Sequence, residues 1–550
     1  MEHTRSFQSL TSFDEQGRRS AVVLNRSRTI ALEKVDKAPF SLFHVKVWLV
    51  AGVGFFTDAY DIFTISIAAI MIGYVYDNYL QRGVDFGLKV ASPVGNLIGQ
   101  VLFGWLADMV GRKRMYGIEL MIIITSTFAQ ALSGSGPAVN IIGALTFWRF
   151  MMGVGIGGDY PLSAIITSEF AATRSRGRLM TAVFASQGWG YIVSVIVALV
   201  TVSAFKGAIL QDQPTDLRHI DYCWRILIGV GCIPGIIALY FRLTIPETPR
   251  FTMDIERNVK HACRNIEAVL SANGVTPGVW RVDPEASTER TDSPKASLRD
   301  FRKYFGQWKN SRVLVGTAYS WFALDIAFYG LGLNSSKIFT KKILFAMGLG
   351  SNPSSGTLGV FDNLHDIIVY TLIVVSSALL PGYLASFLVI DSWGRKPIQF
   401  MGFTVLSILF LVMGFGFQEL TESIWRLKLL MFLYCLANFF QNFGPNVTTF
   451  IIPGEVFPTR YRATGHGFSA ACGKLGAIVA QIIFYLNGDS IQTILKIFGF
   501  VMLSGVASTL LLPETRGRSL EELSNEHQKG FIRDANVIEL RNGIVLRKIP

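Results

Sequence analysis

The chain has 550 residues, of which 50% are hydrophobic and only 16% charged, with a mean hydropathy of +0.39. That is more apolar material than one soluble core buries, and it excludes a polar, disordered or nucleic-acid-coating protein. The net charge of +12 is concentrated in short turns, as expected for a protein that sorts cations to one face of a membrane.

The first 45 residues are polar and basic, with no short apolar segment before a cleavage site, so no cleavable secretory signal is expected there. Apolar runs long enough to cross ~30 Å of hydrocarbon, which takes about 20 helical residues, then recur along the chain. They lie near residues 46–72, 88–110, 116–135, 139–165, 180–204, 225–243, 313–333, 366–390, 398–417, 427–451, 463–487 and 490–512. The expectation is an all-α membrane protein with twelve transmembrane helices in a 6+6 arrangement. The implied domains are an N-terminal tail (1–45), a first six-helix bundle (46–245), a central loop (246–312), a second bundle (313–513) and a C-terminal tail (514–550).

Basic turns carrying Arg112, Lys113 and Arg114, then Arg174, Arg176 and Arg178, then Arg460 and Arg462 fall on one side. The positive-inside rule makes that side cytoplasmic, with both termini and the central loop. The loop is polar and rich in turn-formers apart from an amphipathic stretch after residue 250, and Ser293-Pro294 within it reads as linker or regulatory site. The segment 298–312, mixing aromatics with cations, suits the inner membrane interface. Five cysteines (Cys223, Cys232, Cys263, Cys435, Cys472) show no paired spacing, which argues against disulfides or a thiolate metal site. Asn334-Ser335-Ser336 matches a glycosylation acceptor.

Three motif pairs recur in the same order in both halves. Residues 104–114 ("GWLADMVGRKR") are answered by 389–397 ("VIDSWGRKP"), 168–178 ("SEFAATRSRGR") by 454–465 ("GEVFPTRYRATG"), and 245–250 ("IPETPR") by 512–518 ("LPETRGR"). Asp108 near Arg112 and Arg114, and Glu169 near Arg174 to Arg178, predict breakable charge latches at the helix ends, as rocking of two bundles requires. These motifs resemble the major facilitator superfamily over about residues 45 to 520, which implies a central cavity between the halves.

Ionisable groups inside spans cost ~2.5–3.5 kcal/mol each near the centre, so each is a functional candidate. Asp58 and Asp61 stand three apart on the first span, and the fourth follows glycines 153, 155, 157 and 158 with Asp159 and Tyr160. Any one of these acids could instead cap a helix or pair with Arg149. On the seventh span Trp321, Asp325 and Tyr329 are spaced i, i+4, i+8 and line one stripe. The tenth brings Gln441, Asn442 and Asn446 to membrane depth around Gly444-Pro445, and Gln187 and Lys474 complete the set. Many donors with one cation suit a small hydroxylated oxyanion better than a hexose.

The segments around Asp58, Asp159, Asp325 and Asn446 further resemble the phosphate:proton symporters of fungi and plants, of the fungal high-affinity type. That resemblance implies phosphate contacts at Tyr160, Gln187, Trp321, Asp325, Tyr329 and Asn442, support from Lys474, and a proton route through Asp58, Asp61 and Asp159. The implied partners are inorganic phosphate, protons and the lipid bilayer, with no nucleic acid, cofactor or metal. The expected location is the plasma membrane. A carrier of glycerophosphodiesters or a phosphate sensor would use the same fold. No nucleophile, base and orienting group recur at a spacing that suggests an enzyme.

Overall fold

The computed structural model describes residues 32, 36–37, 39–76, 82–213, 216–244, 247–254, 298–334, 356–488, 490–524, 537–541 and 544–549. Twelve membrane-crossing helical segments run in chain order: α1 (Leu42–Val75), α2 (Arg82–Val110), α3 (Arg112–Ala131), α4 (Ile141–Phe170), α5 (Arg176–Ala204) and α6 (Arg218–Leu243) form the first half. The second half contains α7 (Trp308–Leu333), α8 (Gly356–Trp393), α9 (Arg395–Phe415), α10a (Ile424–Asn442) with α10b (Pro445–Val456), α11 (Arg462–Asn487) and α12 (Ile491–Thr509). Among the described residues, ten helices are long and apolar enough to span a bilayer on composition alone. The other two spans are α3, whose start is basic and whose interior holds Glu119, and α10, which is broken in two.

Helix ends differ from the hydropathy reading where charge hides them: α2 begins ahead of Asp85 and Lys89, and α8 ahead of Asp362 and Asp366. The expected interruption at Gly444-Pro445 is present, and a second break, in α6, went unseen. In α6, Val230 and Gly231 separate Arg218–Gly229 from Cys232–Leu243. In α10, the carbonyl of Asn442 at the Gly444-Pro445 break is taken by the Ser386 hydroxyl at 2.8 Å.

The α4 glycines allow close packing on both sides. A Cβ on Gly153 or Gly157 would lie 2.2 or 2.4 Å from the carbonyls of Ser92 and Asn96 on α2, and one on Gly155 would lie 2.8 Å from the Glu119 carbonyl on α3. The two halves meet along α2 and α11, and along α5 and α8.

At the motif-bearing end the latches cross between halves, which corrects the expected pairing of Glu169 with Arg174 to Arg178. Glu169 instead takes Arg112 at 3.4 Å and Arg462 of the other half at 2.9 Å. Asp108 accepts from the backbone N–H and hydroxyl of Thr464 at 2.7 and 2.8 Å. The related set in the second half places Glu455 3.1 Å from Arg395 and 3.8 Å from Arg176, while Asp391 accepts from the Arg178 N–H at 2.9 Å.

The third motif pair caps these turns. Glu247 accepts from Lys113 N at 3.1 Å, and Glu514 from Arg395 N and Lys396 N at 3.1 and 2.9 Å. Each turn is entered through a glycine, Gly111 or Gly394, at φ 115° and 107°, where a side chain would be strained. Burial pushes the Glu247 carboxyl above its ordinary range. Arg250 binds both tails: Asp36 at 2.8 Å and Glu521 at 2.9 Å. Burial alone would raise Glu521, yet the Arg250 guanidinium holds its carboxyl down at about 2.

The segment expected along the membrane interface turns its aromatic face to the protein. Within helix Leu298–Phe305, Phe301 packs on Tyr461 and Phe305 on Phe457, with ring centroids 5.6 and 5.7 Å apart. Asn334 does not suit glycosylation: it is buried, donating to Gln481 at 3.0 Å and accepting from Lys89 at 3.3 Å. Cys263 and Ser293-Pro294 lie outside the described residues, as do Ser335 and Ser336. A short antiparallel hairpin, Val537–Arg541 with Ile544–Ile549, adds β-structure near the C-terminus.

The α2–α11 contact makes a stability prediction. A Cβ on Gly467 would sit 2.3 Å from the Gln100 carbonyl, whereas one on Gly207 meets nothing within 4 Å. Gly467→Ala is therefore expected to lower the thermal unfolding temperature of the purified protein by several degrees, and Gly207→Ala to leave it near the parent value.

Candidate functional site

The α7 stripe faces α11. Lys474 Nζ lies 2.9 Å from Asp325 Oδ2 and 2.9 Å from Tyr329 Oη, and all three side chains are buried. Trp321 also donates toward Asp325. α7 and α11 approach this closely because α11 is bare at Gly473: a Cβ there would lie 2.5 Å from the Trp321 ring and 2.9 Å from Asp325 Oδ2. From the first half, the Tyr160 ring lies under Lys474 at 4.8 Å, and the Tyr160 hydroxyl donates to Gln187 Oε1 at 3.3 Å. Six of the expected residues, Tyr160, Gln187, Trp321, Asp325, Tyr329 and Lys474, thus form one group across both halves.

Asn442 stands beside this group on α10a. It donates to the Asn438 carbonyl at 2.8 Å and accepts from Asn446 at 2.7 Å, and Asn446 also reaches the Tyr383 hydroxyl at 2.9 Å. Gln441 is buried nearby, with its amide nitrogen unpartnered among the described residues.

The three acids expected together divide between two settings. Asp61 accepts from Thr127 at 2.8 Å and fits into the α6 break, where a Cβ on Gly231 would lie 2.2 Å from its Oδ1. Asp159 accepts from Ser163 at 2.5 Å and from Arg242 at 2.5 Å. Asp58 is buried within electrostatic reach of Asp159, Arg242 and Asp61; among the described residues no donor group meets its oxygens, and the Asp159 carboxyl is near enough to share a hydrogen bond with it when one of the two carries a proton. Arg149 is within electrostatic reach of Asp61, while its Nε donates to the Leu88 carbonyl at 2.9 Å.

Two residues of this cluster escaped the sequence reading. Arg242 stands near the end of α6, and its side chain runs back into the bundle to join Asp159 and Glu119. Glu119 on α3 was hidden in an apolar run. A signal did exist in Gly54, since a Cβ there would fall 1.7 Å from Arg242 Nη2. The guanidinium also stacks 4.0 Å above the Tyr116 ring, whose hydroxyl bonds Ser163 at 2.8 Å.

The arrangement can hold an anion between two bundles and can move charge onto buried carboxyls. Among the described residues no group of His, Cys, Asp and Glu is arranged to hold a metal ion.

Residues 47–527 match the family model described as sugar (and other) transporter. A repressible high-affinity phosphate permease of Neurospora crassa is 46% identical over 526 residues, covering 91% of this chain and 90% of the relative. The inorganic phosphate transporter PHO84 of Saccharomyces cerevisiae is 44% identical over 524 residues, covering 90% and 87%. Among solved structures, the proton:xylose symporter XylE superposes with a TM-score of 0.67 at 20% identity, over 87% of this chain and 98% of that one. At that identity the likeness concerns the fold.

Removing Arg242 would leave two buried carboxylates without a cation. Arg242→Gln is expected to cost about 3–5 kcal/mol of stability, and Glu119→Gln in the same chain to recover part of it. Thermal unfolding in detergent reads both, and an unchanged midpoint for the single variant would mean that the cluster is not charged as drawn.

Proposed function

The chain belongs to the family of sugar and other transporters, and from that premise we propose that it imports inorganic phosphate together with protons by alternating access. The names of its relatives among phosphate permeases support the substrate. The observation that carries the reading is the polarity of the site. Asp325 is the acceptor there, and it is already engaged by Lys474 and Trp321, while Gln187 Nε2 is buried without a partner among the described residues. Donors and one cation around an engaged acceptor suit a small oxyanion.

The contacts proposed for phosphate are Tyr160, Gln187, Trp321, Asp325, Tyr329, Asn442 and Lys474. The 2.9 Å pair with Lys474 suggests how Asp325 could act there. A proton on Asp325 releases the lysine to the anion, and loss of that proton after the bundles rock restores the pair and expels phosphate. Asp58, which meets no donor among the described residues, takes up a proton and shares it with Asp159, Asp61 stands next along the same helix, and Asp159 anchors Arg242 while feeling the charge on Asp58. Two or more protons per dihydrogen phosphate move net positive charge inward, worth ~2.3 kcal/mol per charge per 100 mV. The motif-bearing end is cytoplasmic in this reading, with both termini, and the membrane is the plasma membrane.

Labelled phosphate uptake into liposomes holding the pure protein tests the reading. Uptake should require an inward proton gradient and resist competition by glycerophosphoinositol; uptake indifferent to the gradient, or better competed by the diester, would overturn it. Asp325→Asn keeps a donor that cannot ionise, so it is expected to bind phosphate about as well as the parent, with net uptake nearly abolished and little pH dependence. Loss of binding as complete as in Asp325→Ala would sink the release step.

A further inference from the structure

The orientation of the amides on α10 can be deduced from one fixed point. The Asn438 backbone carbonyl can only accept, so the group of Asn442 that lies 2.8 Å from it must be the amide nitrogen. The Asn442 oxygen is then turned to Asn446 at 2.7 Å, which must meet it with its own nitrogen. That same nitrogen lies 2.9 Å from the Tyr383 hydroxyl, so Tyr383 accepts there and its hydrogen must point elsewhere.

Tyr383 is buried on α8, its ring against α5 next to Gln187: a Cβ on Gly188 would lie 3.1 Å from Tyr383 Cδ2. Its hydroxyl is within electrostatic reach of Tyr329 and Asp325. Lys474 imposes the same polarity on the other wall, since an ammonium only donates and Tyr329 must accept from it.

We infer that Tyr383 is a further anion-contacting residue, donating its hydroxyl hydrogen to a phosphate oxygen, and that Asn446 is the positioning residue that sets this direction. The inference rests on the reading of the chain as a phosphate carrier. The relay also makes the site selective. Every oxygen of a sugar hydroxyl brings a hydrogen that needs an acceptor, whereas dihydrogen phosphate also offers two unprotonated, negatively charged oxygens whose lone pairs suit a wall of donors.

Isothermal titration of the purified full chain with inorganic phosphate, together with uptake in liposomes, tests it. Tyr383→Phe removes only the hydroxyl and should weaken phosphate binding about tenfold, as for one hydrogen bond to a charged group, with turnover at saturating phosphate changed far less. Asn446→Ala should weaken binding comparably and keeps the question decidable if the phenylalanine variant does not fold. Because both act through one relay, the combined variant should bind no more than about twofold more weakly than the weaker single variant. Parent-like affinity in Tyr383→Phe, or losses that multiply in the combined variant, would overturn the inference while leaving the transport reading intact. A parent that binds no phosphate would overturn that reading, and this inference with it.

Discussion

A charge taken out of water must be given a partner, and the structure is organised around that constraint. Breaking a buried pair by removing one member leaves an uncompensated charge that costs several kcal/mol. Here the partners come from different helices, and often from different halves. Lys474 on α11 meets Asp325 on α7, Arg242 on α6 meets Asp159 on α4 and Glu119 on α3, and Glu169 meets Arg462 across the interface. Each pair fixes where a helix can sit, because moving one member strands the other. The glycines follow from this, since charges joined by short bonds need backbones that approach closely, as at Gly54 and Gly473.

The cross-half pairs have a further consequence. Glu169 with Arg462, and Glu455 with Arg176, hold the motif-bearing end shut. Each acid also has an arginine of its own half, Arg112 or Arg395, and each arginine turn is capped by Glu247 or Glu514. When the halves separate, every carboxylate keeps one partner. The cost of opening is therefore the loss of half of each set, which suits a structure that must be bistable without being loose. Arg250 joins both tails to the same place through Asp36, Glu521 and the Glu169 carbonyl, so the position of the tails is coupled to whether that end is closed.

Much of this was legible in the sequence. Period and length gave the spans, and the repeated motifs gave two halves. The i, i+4, i+8 stripe of Trp321, Asp325 and Tyr329 does face one partner helix. What could not be read was the choice of partner, because the sequence gives proximity along a helix and not across it. Glu169 was assigned arginines a few residues away and found one 293 positions distant. Arg242 went unnoticed because a side chain that folds back into the bundle leaves no periodic trace. Asp58 and Asp61 share a helix face, yet the α6 break at Gly231 gives Asp61 a niche of its own.

The two centres differ in what a proton does to them, and that difference makes coupling possible. In the mechanism proposed above, the cation at Lys474 is itself one of the anion's donors, so neutralising Asp325 would change the attraction for phosphate directly. At Arg242 the cation is held by Asp159 and Glu119 and does not face the α7 stripe, so a proton arriving at Asp58 alters charge in the first half alone. Tyr160 joins them: it follows Asp159 on α4 and lies under Lys474, with its hydroxyl on Gln187. A shift of α4 driven by charge at Asp159 must move that ring against the lysine. On the proposed mechanism, protonation in the first half would thereby be felt as a change in the grip on an anion held between the halves, with a single helix as the lever.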